Sequence, residues 1–155
     1  MKGTIDNGYA TRVPDEEIDQ NEGRKWYLPH HGVRHPKKHK LRVVFDCSAK
    51  YQGFCLNSEL LQGPNLTNTL IGVLLRFRQS PIALVADIQA MYHQVRVPET
   101  DQDLLRFLWW TDGNIERPIE EYRMGVHIFG ATSSPACASF ALNKAIKDSE
   151  PKKTH

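Results

Sequence analysis

Apolar and polar positions along the 155 residues change rhythm several times, and each change predicts an element. Residues 1–25 show no sustained period and read as a polar, irregular lead-in, with Pro14 opening an acidic run. Trp26-Tyr27-Leu28 predicts a short strand stopped by Pro29, and residues 30–40, with Gly32 and Pro36, have the composition of a turn or hairpin tip. Leu41-Arg42-Val43-Val44-Phe45-Asp46 is a β-branched strand, followed by a loop over 47–65 that Gly63-Pro64-Asn65 closes. Leu66, Leu70, Val73, Leu74 and Phe77 recur with the helical period, and Pro81 ends the pattern. Ile82-Ala83-Leu84-Val85-Ala86 is a continuous apolar run, the pattern of a strand buried on both faces. The segments Leu104 to Trp110 and Ile119 to Arg123 flank Asp112-Gly113 and predict an antiparallel hairpin. A small-residue stretch from Gly125 to Pro135 feeds a last helix, whose expected apolar stripe is Cys137, Phe140, Ala141 and Ala145 with Lys144 and Lys147 outward. Strands and helices mixed with hairpins predict an α+β or mixed α/β fold.

Composition narrows the picture. The chain is 40% hydrophobic and 25% charged, which excludes intrinsic disorder, and its length suits one domain burying roughly 70% of its unfolded surface. No window approaches the ~18 uninterrupted apolar residues of a membrane span. Met1 to Asp6 opens without an apolar run, so no secretory signal is expected. Three cysteines, Cys47, Cys55 and Cys137, cannot all pair within one chain; reduced thiols and an intracellular, cytoplasmic setting are the expectation.

Charge is distributed unevenly behind a formal net of +2. Residues 1–23 carry two basic and six acidic side chains, residues 24–50 eight basic against the single Asp46, and residues 99–121 two basic and seven acidic. The basic stretch also holds His30, His31, His35 and His39. Such a block favours a polyanion, either nucleic acid or a nucleoside triphosphate, although a solvated basic loop has the same composition.

Chemistry can sit at few places. Asp87 ends the buried apolar run, where an ionised carboxylate is costly unless paired, and a carboxylate followed by tight backbone suits a hard cation; an ordinary turn-forming Asp is the alternative. Tyr92 would bring a large ring near Asp87, or simply pack in a half-buried strand. Arg42 and Asp46, four apart in a strand, share a face. Arg42 could therefore reach a phosphate while Asp46 orients it, or the two form an internal ion pair. Phe129-Gly130-Ala131-Thr132-Ser133-Ser134-Pro135 lets a ligand approach closely and precedes a helix N-terminus, an arrangement that capping alone also explains. His35-x₃-His39 upstream of Cys47 and Cys55 has acceptable histidine spacing for zinc, but seven residues between the cysteines fit no usual closed site. No Walker-type loop, G-x-G-x-x-G or nucleophile motif occurs.

Taken in order, these blocks resemble the reverse transcriptase of BEL/Pao-type LTR retrotransposons. The match is carried by Tyr27-Leu28-Pro29-His30-His31, by Leu41 to Asp46, by Leu74-Leu75-Arg76-Phe77-Arg78, by Ala83-Leu84-Val85-Ala86-Asp87-Ile88-Gln89-Ala90-Met91-Tyr92, and by Val126-His127-Ile128-Phe129-Gly130 through Ser134-Pro135, spanning roughly residues 8–148. The resemblance implies an RNA-directed DNA polymerase of right-hand architecture: a lead-in over 1–25, fingers over 26–80 with a basic hairpin, a partial palm over 81–148, and a frayed tail over 149–155. It implies that Arg42, with Lys40 as a second candidate, contacts the incoming deoxynucleoside triphosphate. Asp87 would be a catalytic aspartate holding Mg²⁺ with the backbone carbonyl of Ile88, and Tyr92 the ring that rejects a ribose 2′-OH. Gly130 would lie against the nucleotide, and Lys37, Lys38, Ser134 and Pro135 against an RNA or DNA primer–template. Phe129 stands where retroviral relatives carry Gln, so a polar contact to the sugar does not carry over.

The second palm motif, Y-x-D-D, does not occur before His155, and no adjacent Asp pair occurs anywhere. Two-metal phosphoryl transfer needs several carboxylates holding ions ~3.5–4 Å apart, and Asp101, Asp103 and Asp112 lie in a polar hairpin region. The expectation is therefore a fragment of the enzyme that does not polymerise alone. A non-catalytic nucleic-acid-binding remnant and a degenerate fossil with no selected role are the alternatives.

Overall fold

A computed structural model describes residues 1–20, 23–34 and 41–149. Within them the mixture of helix and strand is the one the pattern predicts. The organising element is the hairpin of β4 (Arg106–Trp110) and β5 (Ile119–Met124). Its register sets Phe107 opposite Tyr122 and Trp109 opposite Glu120. The connecting turn uses left-handed backbone at Asp112 (φ 53°) and Gly113 (φ 72°), as the Asp-Gly pair predicts.

The lead-in is more ordered than its polar composition suggests. It forms α1 (Lys2–Asp6) and then β1 (Ala10–Arg12), which pairs antiparallel with β5 and sets Ala10 opposite Met124. Three residues with one buried side chain are too short to show a period of two, so the strand is invisible in the pattern. The sheet order is thus β1-β5-β4. Trp26 to Leu28 does not make a named strand; it runs parallel to β4 through a single bridge, Tyr27 to Arg106. Trp26 N–H donates to Asp103 O at 3.0 Å and Leu28 N–H to Arg106 O at 2.8 Å.

After Pro29 the chain turns directly into β2 (His30–Arg34), paired antiparallel with β3 (Leu41–Phe45). The expectation of a turn over 30–40 is corrected for 30–34, where Gly32 sits inside the strand because its missing side chain admits Leu41 from across the pair, 3.0 Å from where a Cβ would stand. Residues 35–40 lie outside the described residues. A one-turn α2 (Leu56–Glu59) interrupts the long loop, α3 spans Leu70–Phe77, and α4 spans Glu99–Gln102. The last helix, α5, runs Ser134–Ser149.

The core lies between the two sheets. Phe45 of β3 meets Phe107 edge-on at 5.3 Å, and Phe107 stacks on Tyr122 at 5.6 Å. Leu28, Leu105, Met124, Val126 and Ile128 complete it. The opposite face of β4 and β5 is closed by charge. The Arg106 side chain is 0% exposed and its guanidinium bonds Asp103 at 2.8 Å, Glu121 at 3.0 Å, and the carbonyls of Glu17 and Ile18 at 3.1 Å each. Arg123 adds Glu17 at 2.6 Å.

Two expectations fail. Ile82 to Ala86 forms no strand and is exposed, with Leu84 91% and Val85 84% accessible. A both-faces-buried strand exists only with neighbours to pair its backbone and cover its side chains, and no strand among the described residues pairs with it. On α5 the buried positions are Ser134 and Ala138, one turn apart, while Phe140 of the expected stripe is exposed. Lys144 does face outward, paired with Asp148 at 2.8 Å.

Replacing Arg106 with Met removes the cation that Asp103 and Glu121 share, leaving Asp103 only the longer Arg123 contact at 3.4 Å and Glu121 only the Tyr27 hydroxyl. The expected cost is about 3 kcal/mol or more, read as a lower urea midpoint, and Arg106→Lys recovers little of it because one ammonium cannot span the four acceptors.

Candidate functional site

Two loops and the end of β3 meet around Gly130. This glycine has φ +99°, and a Cβ built on it would stand 2.9 Å from the carbonyl oxygen of Phe45. Only glycine fits so close an approach at that backbone angle. The loop is clamped by Asn57, whose side chain donates to Gly130 O at 2.9 Å and Ser48 Oγ at 3.1 Å and accepts from Thr132 N–H at 2.9 Å. Asn57 sits on the one-turn helix α2, and its own N–H bonds Cys47 O at 3.0 Å. A lone Asn in a loop-like stretch carries no pattern, which is why sequence reasoning passed over it.

Tyr92 lies on a single 3₁₀ turn, Met91–Gln94, entered through left-handed Ala90 (φ 51°). Its ring is 4.4 Å from that of Phe129, immediately before Gly130. His93 packs between Tyr9 at 4.6 Å and Phe129 at 6.1 Å. The sequence blocks around Phe45, Tyr92 and Phe129-Gly130, far apart in the chain, therefore adjoin in space. Tyr92 is half-buried on a turn and not in the strand considered for it.

Arg42 is exposed on β3 opposite Val33. Its expected partner Asp46 is engaged elsewhere: the carboxylate accepts from Ser48 N–H at 2.9 Å in an Asx turn, and its own N–H bonds Pro29 O. No Arg42–Asp46 pair occurs among the described residues. Lys37, Lys38 and Lys40 lie outside the described residues, as do His35 and His39 of the considered zinc spacing.

Ser134 corrects the expectation of a template contact. Its side chain is fully buried, and its hydroxyl donates to Ile128 O at 2.7 Å, with His127 Nδ1 at 3.4 Å. It fastens the start of α5 to the strand-like segment before it, while Pro135 next to it is exposed.

Asp87 and Ile88 are exposed at the end of the unpaired apolar segment. Asp87 offers one carboxylate and Ile88 one backbone carbonyl, a set that would hold Mg²⁺ only together with water and substrate phosphates, and no cluster of three His, Cys, Asp or Glu able to hold a metal occurs among the described residues. Asp103 and Glu121 are held by Arg106, and Asp112 by Arg117.

The three cysteines are free. Burial pushes the Cys47 thiol up to about 11, so it is an inert filler. Among the described residues no helix is long and apolar enough to cross a membrane. Comparisons with protein-family models and with curated proteins return no match.

Two expectations follow from this geometry. Gly130→Ala forces a side chain against Phe45 O at positive φ, costing about 1–3 kcal/mol, visible as a lower urea midpoint. Burial lowers the pKa of His30, His93 and His127 below the ordinary 6.5. The unfolded chain therefore takes up these protons first as pH falls, and their contribution to stability is present above 6.5 and lost on acidification below it. Urea midpoints measured from pH 8 to 5 should fall through this window, and His93→Gln should flatten the dependence.

Proposed function

We propose that this chain is the fingers and half-palm of a reverse transcriptase of the BEL/Pao kind, a part of an RNA-directed DNA polymerase that is inactive on its own. The observation that carries the reading is spatial: Asn57 pins the Gly130 loop to the end of the Arg42 strand beside the Tyr92–Phe129 pair. Three of the sequence blocks behind the resemblance thus converge on one wall, as a nucleotide site built from fingers and palm requires. On this reading Arg42 faces a triphosphate, Tyr92 the sugar, and Gly130 lets the nucleotide approach. Phe129 gives the Tyr92 ring an aromatic backing in place of a polar sugar contact.

Asp87 is then one of several carboxylates of the parent's metal centre, and the others belong to a segment that pairs with residues 82–86. That segment would supply the backbone partners and the cover that Leu84 and Val85 lack. Magnesium and catalysis belong to the completed palm; this chain contributes the wall, the gate and the basic hairpin.

Primer extension on RNA and DNA templates with Mg²⁺ or Mn²⁺ tests the reading. The expected result is no synthesis above that of Asp87→Asn, and template-dependent extension that Asp87→Asn abolishes would overturn the inactivity.

A second reading is a nucleic-acid-binding remnant without catalysis, favoured by the exposed Arg34 and Arg42 on the β2–β3 hairpin and by the incomplete donor set at Asp87. Neutralising two phosphates already predicts about a tenfold loss of primer–template affinity between 50 and 200 mM salt. Filter binding across that range should show it, with a shallower slope for Arg42→Ala. A flat response would remove this reading.

A further inference from the structure

Between Glu59 and Asp87 the chain carries no acid, and its only charges are Arg76 and Arg78. Helix α3 places six large apolar side chains in this stretch, from 44% exposed at Val73 to 72% at Leu70 and Ile71, and buries none of its residues. Ile82, at 77%, joins the exposed Leu84 and Val85 a few residues on. Helix and segment adjoin: Val73 and Phe77 on one side and Ile82 and Leu84 on the other line a groove of about 340 Å³. Single exposed apolar residues are normal on a protein surface, but a contiguous run of them marks an interaction site.

Local propensity does not hold this stretch together. Thr69 caps α3, its hydroxyl accepting from Gly72 N–H at 3.3 Å. Eight residues are nevertheless too few for a helix to persist in water by itself, and Ile71, Gly72 and Val73 are poor helix formers. Ile82 to Ala86 belong to no strand pair among the described residues, and an open backbone edge is a template for another chain.

Three properties single out a second copy of this chain as the partner. The first is area. The nine apolar side chains expose together on the order of 1,000 Å², against the ~800 Å² that each member of a standard complex contributes. The second is self-complementarity. Antiparallel pairing about a two-fold axis at Leu84 sets Ile82 opposite Ala86 and Ala83 opposite Val85, so every residue has an apolar counterpart and the facing backbone edges satisfy one another. The third is charge. In that arrangement the Arg76 and Arg78 end of each copy meets the exposed Asp87 end of the other, and this favourable meeting occurs twice. Parallel pairing would bring Arg against Arg and Asp against Asp. An anionic lipid surface would use the arginines and repel Asp87.

We propose that two copies of this chain associate through residues 70–87, their 82–86 segments pairing antiparallel across a two-fold axis with α3 beside them in the same interface. The proposal does not rest on the polymerase reading. It uses exposure, symmetry and charge alone and describes the chain by itself, whereas a completed palm would occupy the same edge.

The test is sedimentation velocity on the whole chain. Interfaces of this area dissociate at micromolar concentration or below, so between about 1 and 100 μM the mass is expected to reach that of two chains and to fall towards one on dilution. Leu84→Lys sets two ammonium groups against each other at the axis and should weaken the dimer at least about tenfold. Leu84→Glu should do the same, and an equimolar mixture of the two variants should recover a two-chain species that neither forms alone. Without that recovery the two-fold pairing is overturned. Arg78→Glu is expected to weaken association and the further change Asp87→Lys to restore it, which fixes the antiparallel sense. These side chains are exposed in the single copy, and an unchanged urea midpoint at low concentration verifies that each variant folds. A single-chain mass at every concentration overturns the proposal, and so does a single chain that instead cosediments with vesicles of phosphatidylserine and phosphatidylcholine. A mass that grows without limit, or a Leu84→Lys variant that dimerises as the wild type does, overturns it as well.

Discussion

Arg106 is the residue on which the remaining architecture leans. Burying a guanidinium costs several kcal/mol unless each donor finds an acceptor, and here the acceptors come from three places: Asp103 just before β4, Glu121 on β5, and the carbonyls of Glu17 and Ile18 in the lead-in. Burial alone would draw its proton affinity down, and the bonds to Asp103, Tyr27 and Glu121 more than reverse that. The charge is therefore permanent, and the geometry around it is demanded by the fork of the guanidinium. One side chain thereby ties the polar lead-in and the Trp26–Leu28 segment to the face of the sheet that lacks an apolar cover.

From that anchor the β2–β3 hairpin and the Gly130 loop take their positions. Trp26 and Leu28 hydrogen-bond to Asp103 and Arg106 at the start of β4, which aims the chain through Pro29 into β2 and sets the hairpin carrying Arg42. Phe45, at the far end of β3, closes on Phe107 and offers its carbonyl to the Gly130 loop. Leu28 and Phe45, near the two ends of the run from Trp26 to Phe45, both join the core that β4 closes through Phe107, so a shift in β4 reaches both.

Much of this was legible in residue order. The hairpin around Asp112-Gly113, the Leu41–Phe45 strand, the helix ending before Pro81 and the helix starting at Ser134 each follow from period and punctuation. What was not legible has physical causes. Asn57 and Arg106 matter through their partners tens of residues away, Gly130 and Thr132 for the one and Glu17 and Ile18 for the other, which no local pattern marks. β1 is only three residues long and takes its identity from β5. Ser134 looks like a surface residue before a proline, yet its hydroxyl is turned inward to Ile128 O. The apolar run at 82–86 carries the composition of a buried strand without the neighbours that make one. Composition reports what a segment prefers, and the structure adds whether anything satisfies it.

The same run has a kinetic meaning. Its amides lack the ladder bonds that protect β4 and β5, and α3 ahead of it buries none of its own side chains. Local opening there costs almost nothing, whereas the paired strands open only with the whole domain. In a single copy, amide hydrogens from residues 82 to 88 would exchange with solvent in the time it takes to mix the sample, while those of β5 would wait for global unfolding. The protein is therefore two foldons of very different depth joined in one chain, and the shallower of them carries Asp87.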